Sequence, residues 1–144
     1  MNNQNNQKFY INGQWVNPQS TQLLDVINPA NEEIITQIAI GNEEDLNNAV
    51  KAAKNSFEAW SVSSVEERLT LLNKLKEIYQ RRFDEMTVAI TTEMGCPKDF
   101  SSDVQTQSGL DHLNDFIEQL KNFDFENKFN EKSNNYITHE PIGV

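Results

Sequence analysis

Residues 34–60 read IITQIAIGNEEDLNNAVKAAKNSFEAW, and the hydrophobic pattern changes character within this stretch. Before Gly41, isoleucines and a threonine lie close together, which favours a β-strand. After Gly41, Asn42 is followed by three acidic residues. This order predicts the start of a helix, because an Asn side chain caps free backbone amides and carboxylates favour the positive end of the helix dipole. The stretch therefore marks a boundary between a β-rich segment and a helical one.

The segment before this boundary predicts two β-hairpins. FYINGQWV, at residues 9–16, contains the pair Asn12-Gly13, a strong short-range signal for a two-residue hairpin turn. The run from residue 23 to residue 40 contains NPAN, whose residues favour turns, between two segments rich in Ile and Val. Residues 1–7 are almost entirely Asn and Gln, so we expect a disordered polar tail.

Helical periodicity dominates the sequence from residue 43 to residue 123. A second helix is predicted to begin at Ser64, which can form a capping box with Glu67, and to end at Gly95 after a break near Arg82. A third helix is predicted from about Ser102 to Phe123. The apolar residues expected to face inward are Leu46, Ala49, Val50, Ala53, Phe57 and Trp60 on the first helix, Leu69, Leu72, Leu75, Tyr79, Met86 and Ile90 on the second, and Val104, Leu113, Phe116, Ile117 and Leu120 on the third.

Composition excludes several classes of partner. The chain has 144 residues and carries 22 acidic residues against 12 basic ones, a formal net charge of -10, which argues against binding to nucleic acid or to anionic membranes. No apolar run approaches the roughly 20 residues that a membrane span needs, and the N-terminus lacks the features of a signal peptide. We therefore expect a cytoplasmic location, with which the single cysteine, Cys96, is compatible.

The residues that could carry chemistry are few. Cys96 lies in EMGCPKD, where no neighbouring residue supplies a base, so a structural thiol is the favoured interpretation. His112 and His139 fall in a predicted helix and a predicted strand. The sequence contains no metal-ligand spacing of His, Cys and carboxylate and no Gly-rich phosphate loop. From the residues alone, we predict no catalytic residue and no cofactor-binding residue.

Six segments, taken in order, resemble the opening of the aldehyde dehydrogenase superfamily with matching separations. The resemblance covers residues 8–144. The six are YINGQWV (10–16), VINPANEEIITQI (26–38), NEEDLNNAVKAAKNSFEAW (42–60), ERLTLLNKLKEIYQRR (67–82), ITTEMGCP (90–97) and EPIGV (140–144).

The resemblance implies an α/β fold, the Rossmann-like cofactor-binding domain of aldehyde dehydrogenases. It places the N-terminal part of that domain, with its β-hairpins and three to four helices, at residues 8–123. Residues 124–140, which alternate apolar and polar side chains, correspond to the start of the oligomerisation hairpin. Residues 141–144 correspond to the start of the central parallel sheet, which continues beyond this chain in the family.

The resemblance also implies a function for a complete enzyme, the oxidation of an aldehyde to a carboxylic acid with NAD or NADP. In the family, the catalytic Cys, the general-base Glu, the oxyanion-stabilising Asn and the cofactor-binding residues all lie further downstream. We therefore expect this chain alone to be inactive and to bind no cofactor, and Cys96 is not the family nucleophile. A homo-oligomer or a complementing chain is the expected partner. The alternative is a non-catalytic interaction or oligomerisation module that acts with a separate downstream chain.

One ligand site follows from the resemblance as well. Several family members bind a structural monovalent cation through main-chain carbonyls before the NPA turn and an acidic side chain before the Gly that ends the second helical segment. The matching positions here are Val26, Ile27 and Glu93. Backbone carbonyls and a carboxylate suit a hard cation. A further ligand comes from downstream in the family, so the site within this chain is expected to be incomplete.

Overall fold

The computed structural model describes residues 5–132 and 134–144. Strands and helices follow the boundary that the sequence predicts near Gly41, with two β-hairpins before it and a helical region after it. In chain order the elements are β1 (Phe9–Ile11), β2 (Gln14–Val16), β3 (Leu23–Asn28), β4 (Glu33–Ala39), α1 (Glu43–Ser61), α2 (Val65–Arg81), α3 (Phe83–Met94), α4 (Lys98–Phe100), a π-helical turn (Ser101–Thr106), α5 (Gln107–Asn122), β5 (Glu126–Lys128) and β6 (Tyr136–Thr138).

Each of these strands pairs antiparallel with its neighbour in sequence, giving the hairpins β1–β2, β3–β4 and β5–β6. The first turn is formed by Asn12 and Gly13, with φ angles of 52° and 75°. Two successive positive φ angles are typical of a type I′ turn, whose twist matches that of the flanking strands. The β3–β4 ladder contains a bulge between Val26 and Ile27. The predicted hairpins are therefore confirmed.

The predicted helix starts are also confirmed. The Asn42 side chain accepts a hydrogen bond from the Asp45 amide, and the Asp45 carboxylate accepts one in return from the Asn42 amide. The other carboxylate oxygen of Asp45 accepts a bond of 2.9 Å from the Gln19 amide, so this residue also ties α1 to the loop after β2. Ser64 and Glu67 form the same reciprocal capping box at the start of α2.

The long second helix is divided at Arg82, as the weak apolar phase predicts. Arg82 ends α2 and precedes α3, and its guanidinium forms an exposed ion pair with Glu85 at 2.9 Å. Gly95 ends α3 in the left-handed conformation, with φ 65°. Both of these predicted features are confirmed.

The third helical segment differs from the prediction at its start. It begins at Lys98 instead of about Ser102, and residues Ser101–Thr106 form a π-helical turn before α5. Pro97 precedes the first helical residue, a position at which a missing N–H costs little, because the first amides of a helix have no partner within it. The helical residues that the prediction left out therefore lie directly after Pro97.

Burial is shallower than the apolar periodicity predicts. Ile117 is buried as expected, together with four polar residues, Asp45, Thr87, Ser101 and Thr106. The prediction of inward packing is wrong for six residues, which are exposed: Leu46, Trp60, Leu75, Met86, Val104 and Phe116. Periodicity identifies the face of a helix that needs cover, but within the described residues no second layer lies over these faces.

The polar tail is described only in part. Residues 1–4 lie outside the described residues, whereas residues 5–7 form a turn before β1. The Asn6 side-chain amide donates a hydrogen bond of 2.8 Å to the Thr36 hydroxyl on β4. Among the described residues, no helix is long and apolar enough to cross a membrane.

Candidate functional site

The end of α3 packs against the turn that follows β3. A Cβ added at Gly95 would lie 2.7 Å from the Ala30 backbone nitrogen and 2.9 Å from Pro29 Cγ, which is closer than side-chain atoms approach one another in proteins. The turn itself is held by Asn28, whose side-chain oxygen accepts a bond of 2.9 Å from the Ala30 amide. Glycine is therefore required at position 95 both for its positive φ and for this close approach.

The residues predicted to form a cation site lie on the two elements that meet here. Val26 and Ile27 lie on β3 opposite the bulge, in which Ile35 of β4 has no paired partner, and Glu93 is exposed on the last turn of α3. Strand β3 and helix α3 are in contact. A bulge disrupts the regular pairing of backbone groups in the ladder. Thus β3 and the end of α3, which hold the two predicted carbonyls and the predicted carboxylate, adjoin one another.

The chemistry of this donor set fits a hard monovalent cation, because all three groups supply oxygen. Within residues 5–132 and 134–144, the Glu93 carboxylate has neither a hydrogen bond nor an ion pair to another residue. In the same residues, no group of three or more His, Cys, Asp and Glu side chains is arranged to hold a metal ion. The predicted cation site relies mainly on main-chain carbonyls, so it is not a cluster of side-chain ligands of this kind.

Cys96 follows Gly95 and faces a hydroxyl. Its sulfur lies 3.0 Å from the Ser101 Oγ, and the thiol is half-buried. A hydroxyl is not a base that would activate a thiol as a nucleophile. His112 is exposed on α5, and the His139 ring packs edge-to-face on Phe123, with ring centroids 5.2 Å apart. The structure does not join the thiol and the two imidazoles into one site.

A surface depression of about 630 Å³ contains several ionisable groups. Arg68, His139 and Glu140 line it, beside three serines at the end of α1 and in the α1–α2 connection. The Arg68 guanidinium is already engaged, since its Nε donates to the Ser63 hydroxyl at 2.8 Å and it lies over the Trp60 ring at 5.7 Å. These contacts connect α1 to α2 and give the Arg68 guanidinium a structural role.

Sequence reasoning missed a buried polar cluster between α2, α3 and the π-helical turn. It consists of Tyr79, Thr87, Ser101 and Thr106, which we call the Thr106 cluster. Burial raises the pKa of the Tyr79 phenol. Periodicity predicted that Tyr79 faces inward, but it could not identify the other three residues, because Ser and Thr within a helix carry no apolar signal. The sequence does contain one indication of this close packing, which is Gly109. Glycine destabilises a helix interior, so its presence there indicates that another element approaches closely.

Comparison with known proteins identifies the family. The family model described as "Aldehyde dehydrogenase family" matches residues 15–144. A relative from Staphylococcus epidermidis, named as an aldehyde dehydrogenase, is 44% identical over 137 residues, which are 95% of this chain and 28% of that protein. The chain therefore belongs to the aldehyde dehydrogenase family, as the sequence predicted, and it spans about 28% of the length of the curated relatives it matches.

Solved structures agree with the sequence relatives. The aldehyde dehydrogenase of Bartonella henselae superposes with a TM-score of 0.86 at 38% identity, covering 89% of this chain and 27% of that chain. A mutant of aldehyde dehydrogenase C from Pseudomonas syringae, in complex with NAD+ and octanal, gives a TM-score of 0.85 at 31% identity and covers 90% of this chain and 27% of that one. The predicted fold class, part of an α/β fold of this family, is confirmed.

Proposed function

We propose that this chain is the N-terminal portion of an NAD(P)-dependent aldehyde dehydrogenase whose complete form oxidises an aldehyde to a carboxylic acid. The observation that supports the proposal most directly is the continuous family match from residue 15 to residue 144. In the complete enzyme, NAD or NADP would accept a hydride from the bound aldehyde. This chain would contribute hairpins and helices to the domain that binds the cofactor.

The chain alone is proposed to be catalytically inactive. Its one thiol, Cys96, faces the Ser101 hydroxyl and no base, and its two imidazoles lie elsewhere. Covalent catalysis on an aldehyde needs an activated thiolate and a group that activates water for hydrolysis of the thioester. The catalytic Cys, Glu and oxyanion Asn implied by the family resemblance are assigned to no residue of this chain.

The alternative proposal is a non-catalytic module that pairs with a separate downstream chain. The exposed apolar faces favour it, because large side chains such as Leu46, Val62 and Phe116 are 62%, 82% and 63% exposed. Homo-oligomerisation through the hairpin at residues 124–140, and a cytoplasmic location, belong to the same proposal.

One experiment tests both proposals. Aldehyde-dependent reduction of NAD+ and of NADP+ is measured for the 144-residue chain alone and after co-expression with the part of the Staphylococcus epidermidis relative that follows the matched region. We expect no activity from the chain alone and activity from the co-purified pair. Cys96→Ala serves as the control, because we expect it to leave the activity of the pair unchanged.

The possible results separate the two proposals. Activity from the chain alone would contradict its proposed inactivity. Loss of the activity of a pair that still co-purifies, in Cys96→Ala, would contradict the proposal that this thiol takes no part in catalysis. If the two parts fail to co-purify, the proposed pairing module is wrong, whereas the membership of the family, which rests on the sequence match, is unaffected.

We also propose that Val26, Ile27 and Glu93 hold part of a monovalent-cation site. The contact between β3 and α3 supports it, and so does the Glu93 carboxylate, which has no hydrogen bond or ion pair to another residue in the described part of the chain. A cation that binds only the folded state raises its stability as its concentration increases. We expect potassium chloride to raise the melting temperature above that in choline chloride at equal ionic strength. Glu93→Gln should remove the difference, and Glu77→Gln, an exposed carboxylate on α2, should keep it.

A further inference from the structure

The long helical segment from Lys98 to Asn122 contains a π-helical turn at Ser101–Thr106. The Gln107 amide donates to the Ser102 carbonyl, five residues back, where an α-helix would use the residue four back. Such a turn accommodates one extra residue. π-Helical turns are rare and are found frequently at functional sites. The contacts that hold this turn therefore indicate what it does.

Thr106 joins the turn to two other helices. Its hydroxyl donates to the Ser101 carbonyl at 2.8 Å and accepts a bond of 3.1 Å from the Thr87 hydroxyl on α3. Its backbone carbonyl accepts a bond of 2.9 Å from the Tyr79 hydroxyl on α2. Thr106 and Ser101 are completely buried. The two bonds of the Thr106 hydroxyl are buried, so breaking either would leave a costly unsatisfied group, and the bond from Tyr79 is partly buried.

The bond from Tyr79 depends on Gly109. A Cβ at position 109 would lie 2.3 Å from the Tyr79 hydroxyl oxygen and 2.9 Å from Cζ, so a larger residue would displace the phenol. Glycine in a helix interior is destabilising relative to alanine. The close approach of α2 to α5 explains why glycine stands there. Burial raises the pKa of Tyr79, so the phenol keeps the proton that it donates.

We infer that the Tyr79 hydroxyl is a latch that holds residues 101–106 in the π-helical turn, and that its release lets this segment relax into a regular α-helix. One residue of an α-helix corresponds to a rotation of about 100°. Relaxation of the π-helical turn would shift the helical register by one residue. It would therefore rotate Lys98–Ser101 about the helix axis relative to α5. Phe100, now 44% exposed, and Ser101, now buried, would each move to a different face. The device is independent of the proposed enzymatic function.

Cys96 provides a reporter of this state. The chain contains a single cysteine, and its thiol lies 3.0 Å from the Ser101 hydroxyl. Ser101 belongs to the segment that would rotate, so the rotation would remove this contact and expose the thiol. The experiment measures the rate of alkylation by iodoacetamide in the 144-residue chain and in Tyr79→Phe. Loss of one such hydrogen bond corresponds to about a fivefold change in an equilibrium, so we expect a fivefold faster reaction. Gly109→Ala should act in the same direction. Tyr136→Phe, at an exposed tyrosine on β6, should not.

Hydrogen exchange read by mass spectrometry separates the latch from general destabilisation. Tyr79→Phe should accelerate exchange in peptides that span residues 98–107 and leave peptides from α1 unchanged. Uniform acceleration along the chain would overturn the inference, and so would an unchanged alkylation rate in Tyr79→Phe. A wild-type thiol that reacts as fast as it does in the urea-unfolded chain would equally overturn it, because the latched state would then not be populated.

Discussion

Replacement of Gly95 by alanine should destabilise the chain through two separable effects. The first is conformational, because Gly95 has a φ of 65°. An L-residue with a side chain in this left-handed region costs about 1–2 kcal/mol of conformational free energy. The second is steric, because the added Cβ would lie 2.7 Å from the Ala30 nitrogen and 2.9 Å from Pro29 Cγ. The first of these neighbours is backbone, so the turn must move away from α3.

Gly13→Ala is a matched control for the first effect alone. Gly13 has a φ of 75°, close to that of Gly95, but a Cβ there would meet nothing within 4 Å. We expect Gly13→Ala to lower the free energy of unfolding by about 1–2 kcal/mol, the conformational cost. For Gly95→Ala we expect a total of about 2–4 kcal/mol, because displacement of a packed neighbour typically adds about 1 kcal/mol or more.

Urea unfolding followed by circular dichroism, with linear extrapolation, measures both variants. Equal losses in Gly95→Ala and Gly13→Ala would refute the reasoning, since they would mean that the contact between α3 and the β3–β4 turn contributes nothing. A further readout is the effect of potassium on stability. If Gly95→Ala moves the turn away from α3, any cation held between Glu93 and the β3 carbonyls should be lost as well.

Three further predictions concern the helix ends. Asp45→Ala should cost about 1–2 kcal/mol in urea unfolding, because the buried carboxylate accepts two backbone bonds, whereas the exposed Glu44→Ala should change little. Hydrogen bonds from the Ser64 backbone and hydroxyl lower the pKa of Glu67 below its usual value, so its contribution to stability is fully present above the unfolded-state pKa and is lost as pH falls through the folded-state pKa. Glu67→Gln should remove that part of the acid dependence of the helical dichroism signal between pH 6 and pH 3, and an unchanged profile would contradict the assignment. Arg68→Lys should weaken the near-ultraviolet dichroism of the tryptophans, because an ammonium cannot reproduce the planar contact with an indole ring.

The features predicted correctly from sequence are those that neighbouring residues determine. Asn42 and Ser64 cap their helices through residues three positions away, and Asn12-Gly13 closes its hairpin with its own backbone angles. The break at Arg82 appears in the sequence as a local loss of apolar phase. Each of these signals operates within one turn of helix or one tight turn, so no knowledge of the rest of the fold is needed.

The features that sequence reasoning missed depend on residues far apart in the chain. The π-helical turn is held by Tyr79, which lies 27 residues before Thr106, and polar residues give no periodic signal for such a contact. Likewise, periodicity predicted inward faces at Leu46 and Phe116, but it does not reveal which surface, if any, covers them. For the cation site, the resemblance supplied Val26, Ile27 and Glu93, whereas the contact between Gly95 and Ala30 became visible only in three dimensions.

The pairing of each strand with its sequence neighbour has a consequence for biosynthesis. The hairpins β1–β2 and β3–β4 need turns of only a few residues, so they can close within microseconds once both strands have left the ribosome. Protein synthesis adds about 5–20 residues per second, so these hairpins can form while the helices are still being made. The bond between Tyr79 and Thr106 cannot form until synthesis has continued 27 residues beyond Tyr79. The nascent chain is therefore expected to acquire its first two hairpins before its helices pack together.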